Sequence, residues 1–111
     1  DLYGVTNGGE STQRNRLKLS GLDRFMKDIF VSEAVGYQKP QTEFFDYCFQ
    51  RIPDFQREKT MIIGDSLTSD IQGGNNAGIA ACWFNPAGKQ NTPGLRIERE
   101  IRNLRELKDF L

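Results

Sequence analysis

Short apolar runs alternate along this chain with segments in which apolar residues recur every three or four positions. The first pattern is typical of buried strands, and the second is typical of helices that pack through one face. Four runs predict strands, and a fifth is a possible edge strand at Leu95–Glu98. The four are Leu2–Val5, Ile29–Ser32, Lys59–Gly64 and Ile79–Phe84.

The clearest helical pattern follows Pro40 and is ended by Pro53. Its apolar residues stand at i, i+1, i+4, i+5 and i+8, on one helix face: Phe44, Phe45, Cys48, Phe49 and Ile52. Other helices are predicted at Glu10–Leu19, Ser69–Ala77 and Ile101–Leu111, with a short helical turn at Leu22–Met26. Helices between successive strands predict an α/β fold, a three-layer sandwich of a mostly parallel sheet with helices on both faces.

Composition narrows the class of protein. The 111 residues suit one domain, and the 15 basic residues balance the 15 acidic ones, so no overall field favours nucleic acid or an anionic membrane. No apolar run approaches the roughly 20 residues that span a bilayer. The absence of His excludes His-based triads and His-ligated metals. Cys48 and Cys82 have apolar neighbours, which indicates buried free thiols, with a disulfide or a reactive thiol as the lesser alternative. Free thiols fit a cytoplasmic protein.

Two carboxylates follow the predicted strand at Lys59–Gly64. Asp65 comes directly after the strand, and Asp70 lies five residues further on. Open α/β sheets build their sites at the carboxyl ends of strands, and Mg²⁺ prefers oxygen ligands that it shares with phosphate. The pair is therefore a candidate magnesium site. Asp70 alone is equally well interpreted as an acid favoured at the start of the next helix.

Two further segments carry groups suited to a phosphate. Thr6-Asn7-Gly8 ends the first predicted strand and opens a helix, where backbone N–H groups and side-chain donors favour an anion. Lys39 precedes Pro40 and therefore lies outside the following helix, and its ammonium suits a phosphoryl oxygen. Considered alone, Thr6-Asn7-Gly8 is also explained as an ordinary strand-to-helix turn, and Lys39 as a surface lysine.

Together, these segments resemble the haloacid dehalogenase (HAD) superfamily of phosphohydrolases. Its second motif is Thr or Ser with Asn-Gly at a strand end, its third is a lysine often followed by Pro, and its fourth is Gly-Asp with a second Asp. The matches are Thr6-Asn7-Gly8, Lys39-Pro40, and Gly64-Asp65 with Asp70. The local sequence is similar to that of the pyrimidine 5′-nucleotidase branch in three segments, Gly36–Pro40, Gly64–Ile71 and Trp83–Pro86. The resemblance to the superfamily covers the whole chain.

The resemblance implies a Mg²⁺-dependent phosphomonoesterase that works through an aspartyl-phosphate on small phosphomonoesters such as nucleoside monophosphates. The implied catalytic residues are Thr6, Lys39, Asp65 and Asp70. The implied roles are phosphoryl binding by Thr6, Asn7, Gly8 and Lys39, and metal binding by Asp65 with Asp70 supporting the metal shell and Lys39. Phosphoryl transfer depends on positioning and charge neutralisation, which fits these residue types.

The first motif of the family, Asp-x-Asp, has no match in these 111 residues, and the small cap domain has none either. The resemblance therefore implies the C-terminal part of a HAD core, which alone lacks the nucleophilic carboxylate and is expected to be inactive. In that fold the first strand lies between the strands that here are Leu2–Val5 and Lys59–Gly64. Both should then lack a partner, so a dimer, a swapped assembly or a preceding segment is expected to complete the sheet.

Two other functions account for the same residues. One is a non-catalytic α/β module that binds phosphate or Mg²⁺ and acts through partners. The other is a receiver-like signalling domain, but there an acidic pair comes early and the lysine late. Here Lys39 precedes Gly64-Asp65, which ranks the receiver last.

Overall fold

The computed structural model describes residues 2–21, 24, 26–91 and 93–109. The chain divides into two compact units, Asp1–Ile52 and Pro53–Leu111. The helical turn predicted at Leu22–Met26 falls mainly on residues outside the described set.

The first unit is built on two parallel strands, β1 (Tyr3–Thr6) and β2 (Asp28–Val31), which pair from Tyr3↔Asp28 to Thr6↔Val31. Helix α1 (Glu10–Ser20) connects them and stops at Gly21, whose φ of 78° is the left-handed conformation that glycine commonly adopts at a helix end. A parallel pair needs such a crossover, so the connection sends both strands' carboxyl ends to the same edge.

Two helices follow β2 in this unit. They are α2 (Ser32–Val35) and α3 (Thr42–Gln50). Helix α3 confirms the predicted amphipathic helix, and it buries Phe44, Phe45 and Cys48. Among the described residues of the unit, these side chains and those of Phe30 and Val31 in β2 are the buried apolar ones. An edge-to-face contact joins Phe30 to Tyr47 of α3.

The second unit holds three parallel strands in the order β3-β4-β5. They are β3 (Met61–Gly64), β4 (Ala80–Phe84) and β5 (Arg99–Ile101). Between β3 and β4 the chain makes one turn of π-helix, Leu67–Ile71, and then α4 (Gln72–Ala77). The helix predicted at Ser69–Ala77 therefore starts two residues earlier, because the Ser66 hydroxyl accepts the Ser69 N–H and caps it there.

The sequence of helix α4 has a low helix propensity, and the packing of this helix explains why it contains glycine. A Cβ on Gly74 would lie 2.6 Å from Cγ2 of Ile62, so the backbone of α4 approaches β3 closely only because residue 74 is glycine. The core of the unit consists of buried apolar side chains of β3, β4, β5 and the π-turn, notably Ile62, Ile71, Ala81, Cys82, Trp83 and Ile101.

Two sequence predictions near the C-terminal end are wrong. The edge strand expected at Leu95–Glu98 is instead Arg99–Ile101, and the helix expected at Ile101–Leu111 is a 3₁₀ stretch at Leu104–Asp109. Ile101 pairs with Phe84 and is 3% exposed, so it belongs to the sheet core. Since β5 is three residues long and two of them are charged, no alternating apolar pattern marks it.

The parallel pairing and the mixture of helices and strands confirm the predicted α/β class. Within the described residues, β1 pairs only with β2, and β3 pairs only with β4, so each of the two strands that the resemblance left without a partner has an open side. Cys48 and Cys82 are buried free thiols, as predicted. A search of the described residues found no helix long and apolar enough to cross a membrane.

Candidate active site

The carboxyl end of β1 carries Thr6, and Lys39 reaches it from 33 residues further along the chain. The Lys39 ammonium donates to the backbone carbonyl of Val5 over 3.3 Å. The Thr6 hydroxyl is half-buried and donates to the carbonyl of Asn7 over 3.2 Å. Two of the residues predicted to handle a phosphoryl group are thus attached to the same strand end.

The Asn7 side chain holds the backbone of Lys39 through two hydrogen bonds. Its amide Nδ2 donates to the Lys39 carbonyl over 3.1 Å, and its Oδ1 accepts the Lys39 N–H over 2.9 Å. The peptide that follows Lys39 is cis, and α3 starts only at Thr42. We call this pair of bonds the Asn7–Lys39 clamp.

Gly8 is fixed by a residue that the sequence interpretation did not select. The Gly8 N–H donates to Oγ of Ser32 over 2.8 Å, and the Ser32 hydroxyl donates back to the Gly8 carbonyl over 3.2 Å. The φ of Gly8 is 124°, which a residue with a side chain rarely adopts. Gln13 adds a bond from Nε2 to the Asn7 carbonyl over 3.2 Å. The only sequence signal for Ser32 was its position at the end of a predicted strand.

In the second unit, Asp65 stands directly after β3 with an exposed side chain. Its backbone carbonyl accepts the indole N–H of Trp83 over 3.1 Å. Trp83 is 2% exposed and pairs in register with Gly64, so it is a core residue of β4. The carboxylate of Asp65 is thus presented to solvent from a backbone that the sheet holds in place.

Asp70 is 7% exposed and turns back toward the loop that carries Asp65. Its carboxylate accepts the Ser66 N–H over 3.3 Å, while the Ser66 carbonyl accepts the Asp70 N–H over 3.0 Å. The arrangement resembles a capping box displaced by one residue. A Cβ on Gly64 would overlap the Asp70 carboxylate, so glycine is required there.

Residues 3–84 match the model of the haloacid dehalogenase-like hydrolases. The chain belongs to this family. All six residues selected from the sequence, from Thr6 to Asp70, fall within the matched part of the HAD-like chain.

Three relatives illustrate what this HAD-like chain is similar to. YfnB of Bacillus subtilis, described as a HAD-hydrolase, is 57% identical over 111 residues, covering 100% of this chain and 47% of YfnB. Pyrimidine 5′-nucleotidase PynA of Streptococcus pneumoniae is 44% identical over 111 residues, covering 100% of this chain and 47% of PynA. Pyrimidine 5′-nucleotidase YjjG of Escherichia coli is 35% identical over 107 residues, covering 96% of this chain and 48% of YjjG.

A crystal structure of YfnB, bound to magnesium, superposes on this chain with a TM-score of 0.97 and covers 100% of this chain and 49% of the YfnB chain. The HAD-like chain therefore spans about half the length of the curated relatives that it matches.

This HAD-like chain contains a carboxylate that suits a magnesium ion. Among the described residues there is no cluster of three or more His, Cys, Asp or Glu side chains. Mg²⁺ does not need one, because it is usually held by one or two carboxylates and completes its shell with water and substrate phosphate. The exposed carboxylate of Asp65, on a fixed backbone, is a donor of that kind.

Proposed function

We propose that the whole protein containing this chain is a Mg²⁺-dependent phosphatase that hydrolyses small phosphomonoesters, including nucleoside monophosphates, through an aspartyl-phosphate. The observation that carries the proposal is the meeting of the Lys39 ammonium with the carboxyl end of β1, beside Thr6. Two relatives named as pyrimidine 5′-nucleotidases, 44% and 35% identical, support the substrate class.

In the proposed reaction, this chain contributes phosphoryl binding and charge neutralisation. The Thr6 hydroxyl and the backbone of the Asn7-Gly8 loop receive the transferring phosphoryl group, and the Lys39 ammonium offsets the negative charge that the phosphoryl oxygens carry in the transition state. Both groups are fixed to one strand end before substrate arrives, which reduces the entropy lost on reaching the reactive geometry.

The second unit contributes the carboxylates. Asp65 would hold the Mg²⁺, and Asp70 would act behind it by fixing the Ser66 backbone next to Asp65. The bound ion supplies charge neutralisation for the phosphate oxygens. The nucleophilic aspartate of the proposed mechanism belongs to an Asp-x-Asp motif, and the 111 residues contain none.

The experiment that tests this function is the Asp65→Asn substitution in the whole protein, assayed with p-nitrophenyl phosphate and uridine monophosphate over a range of Mg²⁺ concentrations. Removing the charged ligand should lower kcat/KM at least about 100-fold and shift the activating Mg²⁺ concentration upward, because neutral amides bind Mg²⁺ poorly. The melting temperature should change little, since the Asp65 side chain is exposed.

Asp54→Asn is the matched control. Asp54 is exposed, and its φ of 57° is a conformation that Asn adopts readily, so the same chemical change should leave activity and Mg²⁺ dependence unaltered. Equal activity of Asp65→Asn and the parent would overturn the metal-ligand assignment. Phosphate binding without any turnover by the parent would favour the non-catalytic module instead.

A further inference from the structure

The Asn7–Lys39 clamp suggests a role for Asn7 other than contact with phosphate. Both polar atoms of its side chain bond to the backbone of one residue, Lys39, at 3.1 and 2.9 Å. The sequence interpretation had grouped Asn7 with the phosphate-binding residues because it follows a strand. In the folded chain, the bonds of its amide are directed to the lysine's main chain.

The clamp restricts the position of Lys39, whose charge would otherwise be mobile. A lysine ammonium sits on a flexible stem of four carbons, so a mobile backbone would spread it over a large volume. Here the backbone N–H and carbonyl of Lys39 are both held by Asn7, and the ammonium then reaches the Val5 carbonyl over 3.3 Å. Asn7 and Val5 flank Thr6, so one end of β1 holds Lys39 at both its backbone and its tip.

We propose that Asn7 is a positioning residue, whose amide fixes the Lys39 backbone and thereby aims the Lys39 ammonium at the strand end where the phosphoryl group binds. The inference rests on the proposed phosphatase function and refines it. It predicts that Asn7 matters for turnover only while Lys39 is present. A residue that contacted phosphate directly would matter with or without the lysine.

A double-mutant cycle in the whole protein tests this distinction. The parent, Asn7→Ala, Lys39→Ala and the double variant are assayed for kcat and KM with p-nitrophenyl phosphate and for inhibition by inorganic phosphate. Asn7→Ala should lower kcat about 100-fold with little change in KM, because displacing the charge by about 1 Å costs that much. In the Lys39→Ala background, the same substitution should change kcat less than about 3-fold.

Asn75 offers a control for the loss of an amide clamp as such. Its Nδ2 donates to the Arg96 carbonyl over 2.8 Å, and its Oδ1 accepts the Arg96 N–H over 2.7 Å. Arg96 precedes β5, so this clamp lies at the amino edge of the sheet whose carboxyl edge carries Asp65. Asn75→Ala should lower the melting temperature, as Asn7→Ala should, and should leave kcat unchanged.

Each outcome decides something. A similar loss of kcat from Asn7→Ala with and without Lys39, or a weaker inhibition by phosphate in both backgrounds, overturns the positioning role and makes Asn7 a direct phosphate ligand. A full rate for Lys39→Ala, or no turnover by the parent, counts against the proposed function instead. If Asn7→Ala does not fold, Asn7→Ser replaces it in the cycle, and failure of both to fold overturns the inference.

Discussion

At the scale of single residues, Cys48 illustrates how the fold sets chemistry. It lies on the buried face of α3 and is 2% exposed. Burial raises the pKa of its thiol from 9.0 to about 12, and the neighbouring Arg51 charge offsets only part of that rise. Cys48 is therefore a neutral apolar side chain at physiological pH and takes no part in nucleophilic chemistry.

We expect Cys48 to make the protein less stable in alkali. In the unfolded chain the thiol ionises near pH 9, whereas in the folded chain it stays protonated until about pH 12. The stabilising effect of its burial is thus complete below pH 9 and is lost as the pH rises from 9 toward 12. Urea unfolding at a series of pH values should show the stability gap between the parent and Cys48→Ala shrinking above pH 9. A constant gap from pH 7 to 11 would contradict this.

The candidate site residues differ in how clearly the local sequence indicates them. Thr6, Lys39 and Asp65 stand next to strand ends or a proline, so local pattern identifies them as candidates. Ser32 bonds to Gly8, 24 positions away, and nothing in its local sequence encodes that contact. The positioning role that we propose for Asn7 was likewise hidden, because it depends on where the chain brings the backbone of Lys39.

At the scale of elements, the connection from β3 into the π-turn is organised around a glycine. The Asp70 carboxylate lies against Gly64 and accepts the Ser66 N–H, so the position of the carboxylate depends on the absence of a side chain at residue 64. The π-turn itself is the kind of local widening that is frequent at functional sites.

Gly64→Ala should therefore impair both stability and activity. The added methyl group displaces Asp70 and breaks its bond to Ser66, at a cost of about 1–3 kcal/mol in the free energy of unfolding. Turnover of p-nitrophenyl phosphate by the whole protein should fall about 10-fold or more, because the Asp65 loop loses its support.

Gly74→Ala is the matched comparison. Its methyl group would collide with Ile62 where α4 packs on β3, so stability should fall by a comparable amount while kcat stays at the parental value. Equal losses of kcat in both variants would show that general destabilisation, and not the displacement of Asp70, lowers activity.

The elements that the sequence predicted correctly are those with a strong apolar pattern, such as α3 and β4. The failure at β5 has a physical cause: Glu98 bonds to both backbone groups of Ala81, its carboxylate accepting the N–H at 2.7 Å and its N–H donating to the carbonyl at 3.0 Å. The pairing of this segment with β4 thus begins with a side-chain bond before β5, and within β5 only Ile101 contributes to the apolar core.

Asparagine clamps recur in this chain. Besides Asn7 on Lys39 and Asn75 on Arg96, Asn85 holds both backbone groups of Lys89, accepting its N–H over 3.0 Å and donating to its carbonyl over 2.8 Å. In each case an amide side chain bonds to both the backbone N–H and the backbone carbonyl of a loop residue, as a neighbouring strand would.

At the scale of the whole molecule, β1 and β3 each have an open side within the described residues. Unpaired backbone N–H and carbonyl groups along such a side are a template for another strand. The chain covers about half the length of its relatives, so a strand from outside these 111 residues, or from a second copy, is the occupant that we expect.

The polypeptide 1–111 expressed by itself should therefore self-associate and be inactive. Sedimentation equilibrium should give a multiple of 12.7 kDa, and no p-nitrophenyl phosphate should be hydrolysed, because the sequence has no Asp-x-Asp segment to form the covalent intermediate. A monodisperse, well-folded monomer of 12.7 kDa would contradict the expected strand pairing, and turnover would contradict the expected need for that segment.

The hydrogen bonds around Asn7 and Gly8 also affect the chemical stability of the protein. Asn followed by Gly is prone to deamidation, in which the glycine nitrogen attacks the asparagine side-chain carbon and expels ammonia. In the folded chain that nitrogen's hydrogen is engaged by Ser32 at 2.8 Å, and the amide under attack is held by Lys39. Folding thus protects the dipeptide chemically, and each unfolding event risks replacing the amide donor of the clamp with a carboxylate that repels the Lys39 carbonyl.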